Sequence, residues 1–259
     1  MQTRTGPVEI KDELEWTLYV TIRAARVGVE WLLINGNPQT NPYNFEGLDR
    51  AIRTNRLDVE GTVVPEADSV VHDAATNRIT VDRLFQMMGA LQQNYVNPDD
   101  VIMIMNPMMA NEIARLISLN YADPGSKRQE ILQNQTFPLY GVEVPYRTTQ
   151  WVASTATGTA HEYYSTIYFV CFTYLGQEVS WLEWFDMSNL VINADLFANP
   201  YDQLGPQPAI WYMTPRDKGS YCTSTHFNLF AHGRMYYRAP QAWGRIDRAS
   251  YSSLNERTV

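Results

Sequence analysis

Between Glu13 and Asn37 the chain reads ELEWTLYVTIRAARVGVEWLLINGN, and its apolar residues Leu14, Leu18, Ile22, Ala25, Val29 and Leu32 recur every three or four positions. That spacing lines them along one face of a 3.6-residue helix. Asp12 is placed to cap the first turn. Asn35, Gly36, Asn37 and Pro38 end the helix, because Gly and Asn tolerate a left-handed closing residue and Pro cannot continue the ladder. Some 22 residues at 1.5 Å each make a rod of roughly 33 Å, long enough to brace a whole domain.

The 259 residues suffice for one large domain or two modest ones, and an apolar fraction of 45% can fill a core. Apolar runs such as Val101–Met105 and Ile167–Phe172 fall far short of the roughly 18 residues that cross a bilayer. No basic stretch precedes an apolar segment at the N-terminus, so neither a membrane partner nor Sec-type export is expected. Cys171 and Cys222 lie in β-like runs without CxxC or Cys/His clustering, which reads as two reduced, buried thiols. The net charge of −8 and a pI near 5.0 argue against tight nucleic-acid binding. Only three of the 20 basic residues are lysines, Lys11, Lys127 and Lys218, a bias that suits the multi-donor contacts of arginine at interfaces.

Thr5–Lys11 reads as an extended lead-in to the helix. After the helix, Asn37–Arg53 combines two Asn-Pro pairs with Gly47-Leu48, a turn-rich loop entering a short helix. Such a loop is normally surface exposed, so Tyr43, Phe45 and Leu48 need something to pack against, either the chain's own core or a neighbour. Val59–Val71 alternates like a strand around Pro65. Thr80–Tyr95 has helical periodicity with Thr80 as cap, Val101–Met105 is a strand buried on both faces, and Asn106-Pro107 opens the helix Met108–Leu119. Tyr121–Gln135 is polar and charged, and Phe137–Pro145 is a hairpin or strand start around Gly141. Ala153–Ala160, small and hydroxylated, reads as a flexible loop tip. Thr166–Tyr174 and Val179–Phe185 read as strands joined by a hairpin at Leu175-Gly176-Gln177. Asn199–Pro215, with four prolines, is irregular; Thr223–Ala239 alternates like a long strand, and Ala242–Ile246 closes the pattern. No internal repeat occurs, and the mixed order gives an α+β fold.

The chain carries no GxGxxG, Walker A, HExxH or GxSxG pattern. His72, His161, His226 and His232 are scattered, and about 20 Å of extended chain would separate the last two. The acids Asp99-Asp100, Glu60 and Glu66 sit beside turns, where carboxylates cap or are solvated. Trp181, Trp184 and Phe185 fall in a strand, which buries aromatics by default. The expectation is therefore no enzyme, no metal and no cofactor.

In order, WLLINGNPQTNPYNFEGLDRAI, the helix Thr80–Tyr95, PDDVIMIMNPMMANEIARL, PLYGVEVP and HFNLFAHGRMYYRAPQAWGRI span nearly the whole chain. This ordered set resembles the tailed-bacteriophage major capsid proteins of the Hong Kong 97 (HK97) fold. The resemblance implies a peripheral domain, 1–56 and 222–239, with a β-sheet and a spine helix over 13–36. It implies an axial domain, 57–221 and 240–259, with a central sheet flanked by helices. Only about a dozen residues precede the spine helix, so the family's N-terminal arm and E-loop are expected to be absent or truncated.

The implied function is a structural one: copies of the chain form hexamers and pentamers of an icosahedral virion shell, assembled in a host cytoplasm around double-stranded DNA. Scaffold, portal and decoration proteins would be further partners, and the negative charge suits a wall that packaged DNA contacts only non-specifically. Arg23, Arg26, Tyr43, Phe45, Leu48, Arg50, Arg53 and Arg56 are the candidate subunit-interface residues. An encapsulin-type nanocompartment, which shares the fold and encloses an enzyme, is one alternative. A small-molecule enzyme or binding domain of α+β type is the other.

Overall fold

The computed structural model describes residues 13–41, 44, 46–55, 61–63, 68–159, 161–184, 212–216, 226–230 and 233–252. The chain forms two compact units, one of 1–31 with 182–234 and a larger one of 32–181 with 235–259. The end of the long helix and the loop after it, which the sequence groups with 222–239, therefore fall in the larger unit.

The larger unit is built on a seven-stranded mixed sheet. Its strands are β1 (Val70–Asp73), β2 (Val101–Met105), β3 (Thr136–Leu139), β4 (Val142–Thr148), β5 (Ser154–Ala156), β6 (Glu162–Cys171) and β13 (Gly244–Ser252). The order is β1-β13-β6-β2-β4-β3, with β5 on the same edge of β6 as β2, opposite Tyr163–Ser165 where β2 faces Tyr168–Cys171. β1 runs parallel to β13 and β2 parallel to β4, while β13, β2 and β5 are antiparallel to β6 and β3 is antiparallel to β4. VIMIM is the strand its apolar run predicts: Val101, Met103 and Met105 are fully buried and Ile102 and Ile104 half-buried.

Three helices cover the sheet, each started by a polar cap. In α3 (Val81–Gln93) Thr80 Oγ1 accepts from Arg83 N at 3.3 Å. In α4 (Pro107–Ser118) Asn106 Oδ1 accepts from Met108 N at 3.0 Å, and its amide donates to Val152 O. In α5 (Pro124–Asn134) Asp123 Oδ1 accepts from Ser126 N, and Gln135 closes the helix in the left-handed region. Such caps satisfy amides that no preceding turn can reach. Leu84, Met87, Met88 and Leu91 of α3 and Met109, Ile113 and Ile117 of α4 form the core with Phe137, Phe169 and Trp243. Gly244 lets α3 close on the sheet, since a Cβ there would meet Met87 Sδ at 2.7 Å. Trp243 Nε1 donates to Cys171 O at 2.9 Å, which makes full burial of the indole affordable.

Two strand expectations change. Of Ala242–Ile246, Ala242 ends a short 3-10 turn and Gly244–Ile246 open the nine-residue strand β13 between β1 and β6, with a bulge between Ile246 and Ala249 that turns Arg248 outward onto Asp73. Ala153–Ala160 contains β5 rather than a loop alone, because β6 offers it backbone partners beyond the end of β2. Among the described residues of 166–184, the short strands β7 (Thr173–Tyr174) and β8 (Gln177–Glu178) pair across the turn, and Val179 N donates to Phe172 O just beyond them. The following strand β9 (Ser180–Trp184) pairs instead with β12 (Gly233–Tyr237).

The smaller unit contains most of α1 (Glu13–Asn35) and the antiparallel pair β10 (Tyr212–Arg216) and β11 (His226–Phe230). The span 223–239 is thus two strands with different partners. Asp12, Cys222 and most of 59–67 and 199–211 lie outside the described residues.

Candidate subunit interface

The candidate site is the elbow where α1 stops and the chain doubles back into α2 (Leu48–Ala51). Gly36 N donates to Leu32 O at 2.8 Å, ending the helix, and Gly47 N then donates to Gly36 O at 2.9 Å as the chain crosses itself. The crossing excludes any side chain: a Cβ on Gly47 would lie 2.5 Å from Gly36 N and 2.6 Å from Ile34 O. Asn37 organises the turn. Its carbonyl accepts from Thr40 N and Asn41 N, and its Oδ1 accepts from Gln39 N at 2.9 Å and from Arg50 Nη1 at 3.0 Å. These bonds replace the helical ones that the chain loses on turning.

Polar bonds and apolar packing anchor the elbow to the sheet. Ile34, Leu48, Ala51 and Ile52 are buried, and Asn35 Nδ2 donates to Trp151 O at 3.0 Å. Tyr168 Oη donates to Asp49 Oδ1 at 3.0 Å, and Arg245 Nη1 donates to Asp49 O at 2.7 Å. Arg245 Nε also lies 2.9 Å from Asp247, whose other oxygen accepts from Thr166 Oγ1. Burial, then the neighbouring Asp49, holds the Tyr168 phenol far above its usual pKa. Asp247 is pushed up by burial, against the pull of Arg245 and Thr166.

The expected interface residues separate on this geometry. Leu48 is only 5% exposed, which decides between the two surfaces open to it: α2 turns it into the chain's own core beside Ile34 and Ile52, not toward a neighbour. Arg50 is half-buried and spent on Asn37 and Gln39 of its own loop. Arg53 is exposed, 3.7 Å from Glu46, and is the elbow's outward-facing arginine. Arg23 is exposed on α1 in the other unit. Tyr43, Phe45, Arg56 and the side chain of Arg26 lie outside the described residues.

The sequence assigns α1 one apolar face, yet Val20, Val27 and Trp31, at spacings of seven and four, are exposed on another. In the larger unit Tyr95, Tyr140, Phe172 and Leu175, none given an interface role from the sequence, are also exposed.

The groups that could do chemistry are arranged otherwise. A shallow depression of about 420 Å³ is lined by Val71, His72, Asp73, Arg83, Gln86 and Ile246, and Asp73 there is engaged by Arg248. Cys171 is buried, and burial pushes its thiol up to about 11, which disfavours the thiolate. Among the described residues no group of His, Cys, Asp and Glu could hold a metal ion, and no helix is long and apolar enough to cross a membrane.

No protein-family model matches the chain, and no curated protein matches it by sequence. In structure it is similar to a chain of the holo-SrpI encapsulin complex from Synechococcus elongatus PCC 7942, determined by cryo-electron microscopy. The TM-score is 0.54 at 12% identity, over 94% of this chain and 68% of that one. At this identity the likeness establishes a shared fold: at the level of a mixed sheet with packed helices, the chain has the HK97-like fold of encapsulins.

Proposed function

We propose that this chain is a structural, self-assembling shell protein whose copies close into an icosahedral container. The observation that carries the reading is the extent of the fold likeness, 94% of the chain. The exposed apolar stripe Val20, Val27 and Trp31 on α1 supports it, because such surface on a soluble chain marks a contact. In a shell each contact is modest and the closed array is stable collectively.

Within that reading, the sequence favours the major capsid protein of a tailed bacteriophage, located in the virion and surrounding double-stranded DNA. Scaffold, portal and decoration proteins would be its other partners. The second reading, a nanocompartment around cargo protein, shares the same fold and is equally compatible with the similarity to an encapsulin chain. The larger unit is the counterpart of the axial domain and the smaller of the peripheral domain. Arg23, Arg53 and the loop carrying Tyr43 and Phe45 contribute contacts between copies, while Leu48 and Arg50 hold that loop in shape.

Electron microscopy and light scattering of the expressed chain test the reading. Closed shells or capsomer rings are expected. Nuclease-protected DNA inside them would select the capsid, and co-purifying protein cargo the nanocompartment. Arg53→Glu is expected to lower the assembled fraction, and full assembly by that variant would remove Arg53 from the interface.

A further inference from the structure

Three turns of the larger unit place a large apolar side chain where the backbone is left-handed: Tyr95 (φ 64°), Tyr140 (φ 54°) and Leu175 (φ 50°). Asn, Asp or Gly is favoured there, because a Cβ crowds the backbone at positive φ. Tyr140-Gly141 and Leu175-Gly176 are two-residue hairpin loops with both φ values positive, between the pairs Leu139↔Val142 and Tyr174↔Gln177. Asn-Gly is the sequence such loops prefer. The side chains of Tyr95 and Leu175 gain little burial for the strain, being 79% and 72% exposed, and Tyr140, resting against α3, is still 43% exposed.

All three sit at one end of the sheet. Cys171 pairs with Val101, the first residue of β2, so Phe172, itself 39% exposed, lies beyond that end with the β7–β8 hairpin after it. Tyr174 Oη donates to Asn94 O at 2.9 Å, tying the hairpin to the turn that carries Tyr95. The Tyr140 ring lies 5.6 Å from Phe85 of α3, and its hydroxyl is 2.8 Å from where a Gly89 Cβ would be, near the same end of α3.

We propose that this apolar end is the surface through which a second copy of the chain docks; the inference rests on the shell reading above. At roughly 200 Å² for a large side chain, the four exposed residues present about 450 Å² of mostly apolar surface. That is the apolar centre of a contact needing about 800 Å² per partner, with a polar rim. Asp99, Asp100 and Glu178 lie in the segments beside it, as does the exposed Arg238, whose backbone N donates to Val179 O at 2.9 Å, so charges of both signs supply that rim.

The test uses the full chain carrying Tyr95→Asn, Tyr140→Asn and Leu175→Asn together, with Leu132→Asn on the exposed side of α5 as control. Thermal unfolding and sedimentation against concentration are read in parallel. Relief of three left-handed strains should leave the melting temperature unchanged or raise it by about 2–8 °C. Loss of the contact should raise the concentration needed for assembly at least about tenfold, while the control assembles like the parent. Parent and triple variant assembling at the same concentration would overturn this inference and leave the shell reading standing. A lowered melting temperature would also overturn it, by showing that the side chains serve the fold. A parent chain that never assembles would sink both.

Discussion

The elbow after α1 and the apolar end of the larger unit are both made of turns, and they solve the turn problem in opposite ways. At the elbow the residues are those the backbone asks for: Gly36 and Gly47 where chains cross, Asn37 where carbonyl and side chain must accept together. Its one half-buried arginine, Arg50, bonds back to its own loop. At the apolar end, Tyr and Leu occupy left-handed positions that Asn would fill with less strain, and they point outward. The elbow is optimised for its own fold. The other end carries backbone strain that burial within the single chain offsets only at Tyr140.

Substitutions can break the comparison at either side. The largest effect is expected from Gly47→Ala, whose Cβ would meet backbone atoms at 2.5–2.7 Å that cannot swing away. A loss of about 3 kcal/mol or more in chemical denaturation is expected, and a neutral result would mean the crossing relaxes easily. Between the two regions, Glu112 provides a reference for core electrostatics. It is 5% exposed and accepts from Arg115 at two 2.8 Å bonds, with Arg78 Nη2 3.4 Å away. Burial pushes its carboxyl up, but the bonds and charges of Arg115 and Arg78 outweigh this and hold the pKa below the ordinary range. Its stabilisation is therefore present above the unfolded value of about 4.3 and is lost as pH falls through the lower folded value. Glu112→Gln should cost about 2–3 kcal/mol at pH 7 and flatten that acid limb. An unchanged limb would assign acid sensitivity to other groups.

Smaller effects carry the contrast itself. Asn37→Ala removes the acceptor of Gln39 N and Arg50 and should cost about 1 kcal/mol. Leu175→Asn should instead stabilise the chain by up to about 1 kcal/mol, since it produces Asn-Gly at a hairpin of that geometry. Opposite signs for these two variants sharpen the comparison, and equal signs would erase it. Asp247→Asn is the smallest expected change. Burial raises the Asp247 pKa, so its charged form opposes folding as pH rises through the folded value, and removing the charge should gain no more than about 1 kcal/mol at neutral pH.

Much of the larger unit was legible because its signals are local. Thr80 and Asn106 cap the helices expected of them, VIMIM is the buried strand, and LYGV turns as a hairpin. Helix α5 was missed because PGSKRQEILQN buries only Ile131, leaving no apolar period to read. The reach of β13 was missed because GRIDRASYS owes its place to β1 and β6, distant in sequence. For Leu48 the sequence leaves the chain's own core and a neighbour both open for a related reason: a loop position says nothing of the core that folds against it. At the apolar end the signal was present in Tyr140-Gly141 and Leu175-Gly176, hairpin dipeptides whose first residue is wrong for the turn. The left-handed backbone at Tyr95 has no such sequence marker.

The most direct measurement of the central claim is mass photometry of the expressed chain across concentration, followed by electron microscopy of the largest species. The account predicts capsomer-sized rings or closed shells of defined size, growing cooperatively with concentration. A chain that remains monomeric or dimeric at every concentration would contradict it.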